Sequence, residues 1–395
     1  MPLPELLIVS FSRIADDPRV RRQIDFLRDE ARITVAGYGT LDLPGIRFVP
    51  LQPPVLNPTA ERLRRYTLLF ARRYEAFYRG LPQVRQAWET LKEAAPHVIL
   101  ANDIDALPLA VRLAERTDAG VFFDAHEYAP LEFEDRLGFR LTWKPFRTYL
   151  CRTYIPRVDA MTTVNRSLAE RYEAETGVRP EIVTNAPPCR PLQPQPMADD
   201  GTIRLVHHGA SLRSRYLEGM IRMMDRLPDP CSLTFYLTDH DPAYVRMLKK
   251  RAESRSRITF RDPVPMTELP ETLNAYDIGV FLLRPVNFNY RYALPNKIFE
   301  HIQARLCLAV SPNPEMARIV RKYRCGVVGE DYTAPALAAA IAALTPEQIV
   351  HAKEGADAAA RECNAEANAE TVRTLFRKSL EAAGSHPPPD THSRP

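Results

Sequence analysis

The chain has 395 residues, room for two ordinary domains, and its 45% hydrophobic content fills cores and excludes wholesale disorder. A net charge of +4 is too small to point to nucleic acid as a partner. Six scattered cysteines, with no C-x-x-C pair, exclude a zinc module and fit a reducing compartment.

The first predicted strand, "LLIVS" (6–10), contains the only N-terminal apolar run, Leu6 to Val9. It is far too short for a signal peptide, and no segment approaches membrane-spanning length. The expected location is therefore cytoplasmic, with peripheral attachment to the inner face of a membrane left open. The turn that follows, "SFSRIADDPRV", lacks G-x-G-x-x-G, which disfavours a dinucleotide held on a glycine-rich turn. Asp16 or Asp17 is placed to cap the next helix, with Pro18 at its first position. "RITVAGY" (32–38) is the next strand. "ERLRRYTLLFARRYEAFYR" (61–79) then sets Leu63, Tyr66, Phe70, Tyr74 and Phe77 at helical spacing, with Arg62, Arg65, Arg72 and Arg79 on another face. "HVILAND" (97–103), "GVFFDA" (120–125), "VDAMTTV" (158–164) and "EIVTNA" (181–186) continue the strands, with helical patterns between them, and "WKPFRTYLCRTYIPR" (143–157) is again basic and aromatic. Such helices suit either a packed core with solvated arginines or an anionic membrane surface. The strand at 120–125 spills Asp124, His126 and Glu127 within four positions of its end, where open α/β sheets bind ligands.

Residues 187–201 are proline-rich and read as an extended linker after a domain spanning 1–186. The alternation then restarts over 202–365. "HHGASLRSRYLE" carries Gly209 at a strand end, with Arg213 and Arg215 just before or inside the first turn of a helix, a pattern suited to an anion. In "NYRYALPNKIFEHIQARL" (289–306), Pro295 and Asn296 mark a helix start. Lys297 in its first turn opposes the helix dipole unless an anion repays it. Glu300, one turn further in, is placed to accept ribose hydroxyls. The Ala-rich region 334–384 is helical, with 366–383 a final helix that could pack back on the N-terminal domain, and 384–395 reads as a disordered tail. Strands alternating with helices in both halves predict an α/β protein: two Rossmann-like, doubly wound parallel-sheet domains facing across a cleft.

Together these pieces resemble GT-B-fold glycosyltransferases of the family 4, group 1 type, from about residue 6 to 345. The matching stretches are "DPRVRRQIDFL", "ANDIDALPLA", "DAHEYAP" and "VDAMTTVNRSLAERY" in the first half. In the second they are "HHGASLRSRYLEGMI", "LNAYDIGVFLL" and "LPNKIFEHIQARLCLAVSPNPEMARIV". The resemblance implies a nucleotide-diphosphate sugar, of the UDP or GDP type, as co-substrate and no other cofactor. It implies a glycan or lipid-linked acceptor on the N-terminal domain. It would put the pyrophosphate at the helix start near Asn296 and at Arg213 and Arg215, with Lys297 able to stand in for the usual lysine. Glu300 matches the ribose-binding glutamate, but eight residues upstream Tyr292 replaces the family's other glutamate. His126 matches the histidine that reaches the transferred sugar. Retention without metal is the implied chemistry, and no D-x-D at a strand end is expected to hold one. Inversion with Asp124 or Glu127 as general base stays open, as do a nucleotide-sugar 2-epimerase and an inactive partner subunit of the same fold.

Overall fold

The computed structural model describes residues 2–54 and 59–384, with the backbone alone for 59–62. The tail expected at 384–395 lies, from residue 385 on, outside the described residues. The chain divides into two compact units, one containing residues up to Thr184 together with those from Asn368, the other Asn185–Ala367.

The first unit is built on seven parallel strands: β1 (Glu5–Arg13), β2 (Arg32–Tyr38), β3 (Arg47–Leu51), β4 (Val98–Asn102), β5 (Gly120–Ala125), β6 (Ala160–Thr163) and β7 (Glu181–Ile182). Their order is β3-β2-β1-β4-β5-β6-β7. The central strands β4 and β5 are buried at every position, because helices cover both faces of a parallel sheet. The strand order reverses between β1 and β4, which creates a crevice at their carboxyl ends. Strand β3 was not expected. Its Pro50 would remove a ladder hydrogen bond from a central strand, but β3 is an edge and tolerates it.

The helical spacing of 61–79 is broken into helices Thr59–Phe70 and Tyr74–Arg79, with Arg72 in the left-handed region at φ 55°. The apolar stripe divides with it. Tyr74 and Phe77 are buried against Phe146, whereas Leu63, Tyr66 and Phe70 are exposed.

The second unit has six parallel strands: β8 (Ile203–Ala210), β9 (Cys231–Thr238), β10 (Ile258–Arg261), β11 (Ile278–Phe281), β12 (Cys307–Val310) and β13 (Gly326–Val328). The order is β10-β9-β8-β11-β12-β13, with the reversal between β8 and β11. Met220, Met223, Leu233, Phe235 and Leu337 fill the core on one side of the sheet. Phe281, Phe299, Ile302, Val310 and Met316 form a second cluster.

Residues 187–198 form no helix or strand, as their prolines dictate, yet they are fixed to the second unit. The Arg190 N–H donates to Gln303 Oε1 at 3.0 Å, and Asn274 Nδ2 donates to the Gln193 carbonyl at 3.0 Å. The helix Ala365–Ala382 runs past the boundary at Asn368, and beyond it Val372, Leu375 and Phe376 are buried in the first unit. There Arg377 pairs with Glu30 at 2.6 Å and Arg373 donates to the Phe26 carbonyl at 3.0 Å. Gly120 permits this packing, since a Cβ would sit 1.9 Å from the Ser379 carbonyl oxygen.

Candidate active site

In the second unit the site grows from the end of β8 and the start of the helix Asn296–Gln303. Gly209 has φ 110°, and a Cβ there would fall 2.4 Å from Lys297 Nζ. Only glycine therefore lets the lysine chain cross the strand end. Lys297 is buried, and among the described residues its ammonium has no hydrogen-bond or ion-pair partner. Burial, reinforced by the charge of Arg215, pushes its pKa down to about 7, against the pull of Glu300. Asn296, half-buried, opens the helix with Pro295 as its cap, so the first N–H groups have no carbonyl one turn earlier.

Arg215 stands in the single turn Arg213–Arg215, held in place by Tyr216 in the left-handed conformation. Its Nη1 is buried without a partner, and burial lowers its pKa. Glu300 is buried, with His208 Nε2 3.3 Å from its Oε2. Glu300 is thus turned away from solvent, as a ribose-binding carboxylate in the interior of the site would be.

His301 packs edge-on to His208 at 5.1 Å, and both its ring nitrogens are buried without partners. Burial pushes His301 down to about 3, with Lys297 adding to the effect, and depresses His207 and His208 as well. All three are therefore neutral at pH 7. His207 is a core residue: its Nδ1 donates to the Val280 carbonyl at 2.9 Å and its ring stacks on Phe281. Around Glu300 the site thus gathers Lys297, Arg215 and imidazole N–H groups with few acceptors to satisfy them. Such a surplus of buried donors is costly unless an anion fills the space.

Two further predicted residues make contacts of their own. Arg213 is exposed and committed to Asp241 at 2.8 Å, over the ring of Tyr244. Tyr292 ends the short helix Phe288–Arg291 with its ring 4.7 Å from Phe288. In its neighbourhood Tyr290 shares a 2.8 Å hydrogen bond with Ser214, tying the 288–291 segment to the Arg213–Arg215 turn.

In the first unit, register builds the cluster at the end of β5. Asn102, Asp124 and Thr162 are paired across β4, β5 and β6, so their side chains share one face. Asp124 Oδ1 accepts from Thr162 Oγ1 at 2.7 Å, and Oδ2 accepts from Gln23 at 2.6 Å and from His126 Nε2 at 2.8 Å. Asp124 is buried, but His126 and the other donors outweigh desolvation and hold its pKa below the ordinary value. An ionised Asp124 fixes the proton of His126 on Nε2 and leaves Nδ1 available. Gln23 and Asn102 exchange reciprocal amide hydrogen bonds at 2.9 and 3.0 Å.

Glu127 stands at the rim with an exposed surface. Loss of water on its inner side, helped by the Asp103 charge, raises its pKa. Asp17, not Asp16, caps the helix Pro18–Leu27, and Arg19 bridges Asp17 and Asp103 at 3.1 Å each.

Asp103-Ile104-Asp105 does have D-x-D spacing at the end of β4, which corrects the expectation of none at a strand end. Its carboxylates are occupied by Arg19 and Arg147, and the described residues contain no cluster suited to a metal ion.

Sequence reasoning missed Gln23, Asn102 and Thr162. A signal for Gln23 existed: it falls on the apolar stripe Val20, Ile24, Leu27, where a polar residue needs a buried partner.

Residues 42–189 match the profile of Glycosyltransferase Family 4. A comparison with curated protein sequences gave no match. Among solved structures, sucrose-phosphate synthase from Thermosynechococcus elongatus is 14% identical with a TM-score of 0.73, over 96% of this chain and all of that one. HepE of Anabaena in complex with UDP-glucose is 11% identical with a TM-score of 0.66, over 95% and 99%. The α,α-trehalose 6-phosphate synthase of Burkholderia multivorans is 13% identical with a TM-score of 0.65, over 97% and 100%. The fold is GT-B: two Rossmann-like parallel-sheet units with flanking helices.

Proposed function

We propose that this GT-B protein is a nucleotide-sugar-dependent glycosyltransferase, transferring a sugar from a UDP or GDP donor to a glycan or lipid-linked acceptor with retention. The observation that carries the proposal is the buried, unpartnered Lys297 lying across Gly209 beside Arg215 and Glu300. The match to Glycosyltransferase Family 4 and the UDP-glucose bound to HepE support the same class.

In this proposal the second unit holds the donor. Arg215, Lys297 and the first N–H groups of the helix Asn296–Gln303 take the diphosphate, and Glu300 accepts the ribose hydroxyls. The bond from the anomeric carbon to the β-phosphate oxygen breaks as the acceptor oxygen bonds to that carbon. The acceptor proton passes to the departing phosphate. Fixed cations lower the barrier by stabilising charge on the leaving group, which requires no metal. The first unit's His126, oriented by Asp124, serves the transferred sugar, with Nδ1 as its free nitrogen. Glu127, whose pKa is raised, is the better placed of the two carboxylates for proton transfer should the reaction invert. An acceptor carried by a lipid would bring the protein to an anionic membrane surface and give it a peripheral location in the cytoplasm.

Calorimetric titration with UDP and GDP, with and without sugar, tests the donor site. At least one nucleotide should bind, and Glu300→Ala should weaken it about tenfold or more, the equivalent of ~1.4 kcal/mol. Failure of both nucleotides to bind overturns the proposal. Binding without turnover on any acceptor would instead favour an inactive subunit, the reading that Tyr292 in place of a glutamate raises.

A further inference from the structure

Eleven large hydrophobic residues are exposed among the described residues, and six of them fall in two short segments, 63–70 and 133–141. The helix Leu137–Leu141 buries no residue at all, and both its terminal leucines are 61% exposed. Phe70, at the end of the helix Thr59–Phe70, is 67% exposed. The two segments meet: Tyr66, Phe70, Phe133, Leu141 and Trp143 line one groove of about 570 Å³, with Arg136 and Arg147 among its walls. A neighbouring groove of about 510 Å³ is bounded by Arg72, Arg140, Lys144, Tyr149 and Arg152. Scattered exposed leucines need no explanation, but a contiguous apolar patch marks a docking surface.

Charge selects the occupant. Residues 63–79 carry a net charge of +4 and residues 133–152 of +3. Among the described residues, Arg72, Arg140 and Lys144 have no carboxylate partner, although Glu134 and Asp135 lie in the same stretch. A second copy of this chain is disfavoured, because a two-fold interface would set these cations against themselves. A soluble anion would leave the leucines and phenylalanines in water. A surface with negative charge above an apolar interior satisfies both, and no helix among the described residues is long and apolar enough to cross it.

We propose that the surface formed by helices Thr59–Phe70 and Leu137–Leu141, with Arg140 and Lys144 beside them, docks on an anionic phospholipid bilayer. Docking extends the lipid-linked acceptor of the proposed function; its failure would count against that acceptor and leave the donor site, which nucleotide titration tests separately, untouched. The test is co-sedimentation of the full chain with vesicles of phosphatidylcholine alone and with about one-third phosphatidylglycerol. The protein should sediment with the anionic vesicles only, and release as salt rises from about 0.1 M to about 0.5 M. Leu137→Ser with Leu141→Ser, and separately Arg140→Glu with Lys144→Glu, should each lower partitioning about tenfold. Their melting temperatures should match the wild type, since these side chains lie at the surface. No sedimentation with anionic vesicles, or sedimentation that both variants leave unchanged, overturns the proposal. So does a dimer, seen by ultracentrifugation, that the leucine variant disperses while vesicle binding is absent.

Discussion

Lys297 combines a stability cost with a functional gain in one side chain. Its folded pKa of about 7 lies below the ordinary lysine value of 10.5, so between those two pH values the unfolded chain binds more protons. Stability contributed by this group therefore rises with pH across that window, and the cost of burying the charge is full below it. Lys297→Met removes the cost. The variant should melt at least about 2 °C above the wild type near neutral pH, the gap closing by about pH 10, and it should lose nucleotide binding. Scanning fluorimetry at several pH values, with and without UDP or GDP, measures both. A bound diphosphate should restore the lysine's proton, so binding heats near pH 8 should differ between buffers of different ionisation enthalpy. In the first unit, His126→Ala should keep the fold and the donor affinity while turnover falls about a hundredfold or more. Gln23→Leu leaves Asn102 and Asp124 each short of a buried partner, and should cost about 1–3 kcal/mol in a denaturant titration.

At the level of elements, two contrary local preferences meet at Gly209 and the helix Asn296–Gln303. A positive φ at the strand end and a lysine in a first helical turn are each unfavourable alone, and together they make one anion-binding device. Gly209→Ala should lower the melting temperature by straining a backbone at φ 110°, and its Cβ should displace the flexible end of the lysine and weaken nucleotide binding about tenfold. The loss should not add to that of Lys297→Ala, which a double-mutant cycle of binding constants would reveal.

Much of the fold was legible here. The runs at 32–38 and 120–125 match strands residue for residue, since parallel strands with helices over the sheet write themselves as largely apolar runs, wholly buried at 120–125 and mostly so at 32–38. The out-of-place Lys297 and the apolar neighbours of Glu300 also carried a signal. What stayed hidden depends on long-range register. Asn102, Asp124 and Thr162 become neighbours only when β4, β5 and β6 align. Arg213 and Arg215 differ in fate because residues two apart in a single tight turn point to different sides, one to Asp241 and one into the buried cluster. The break at Arg72 was equally silent, as helical spacing of apolar residues continues straight across it.

For the molecule as a whole, the helix Ala365–Ala382 contributes Val372, Leu375 and Phe376 to a unit whose sheet was completed nearly two hundred residues earlier. Truncation after Ala367 should expose the apolar bed of these side chains along with Gly120, and the shortened chain should aggregate or melt well below the full one. Size-exclusion chromatography and calorimetry of the truncated protein check this. The same arrangement constrains biosynthesis. A ribosome delivers the whole of Asn185–Ala367 before the last piece of the earlier unit emerges, so that unit must wait, with an apolar groove uncovered, while its successor is still being translated. A nascent-chain experiment should find the N-terminal half captured by holdase chaperones until the helix carrying Arg373 and Arg377 has left the ribosome.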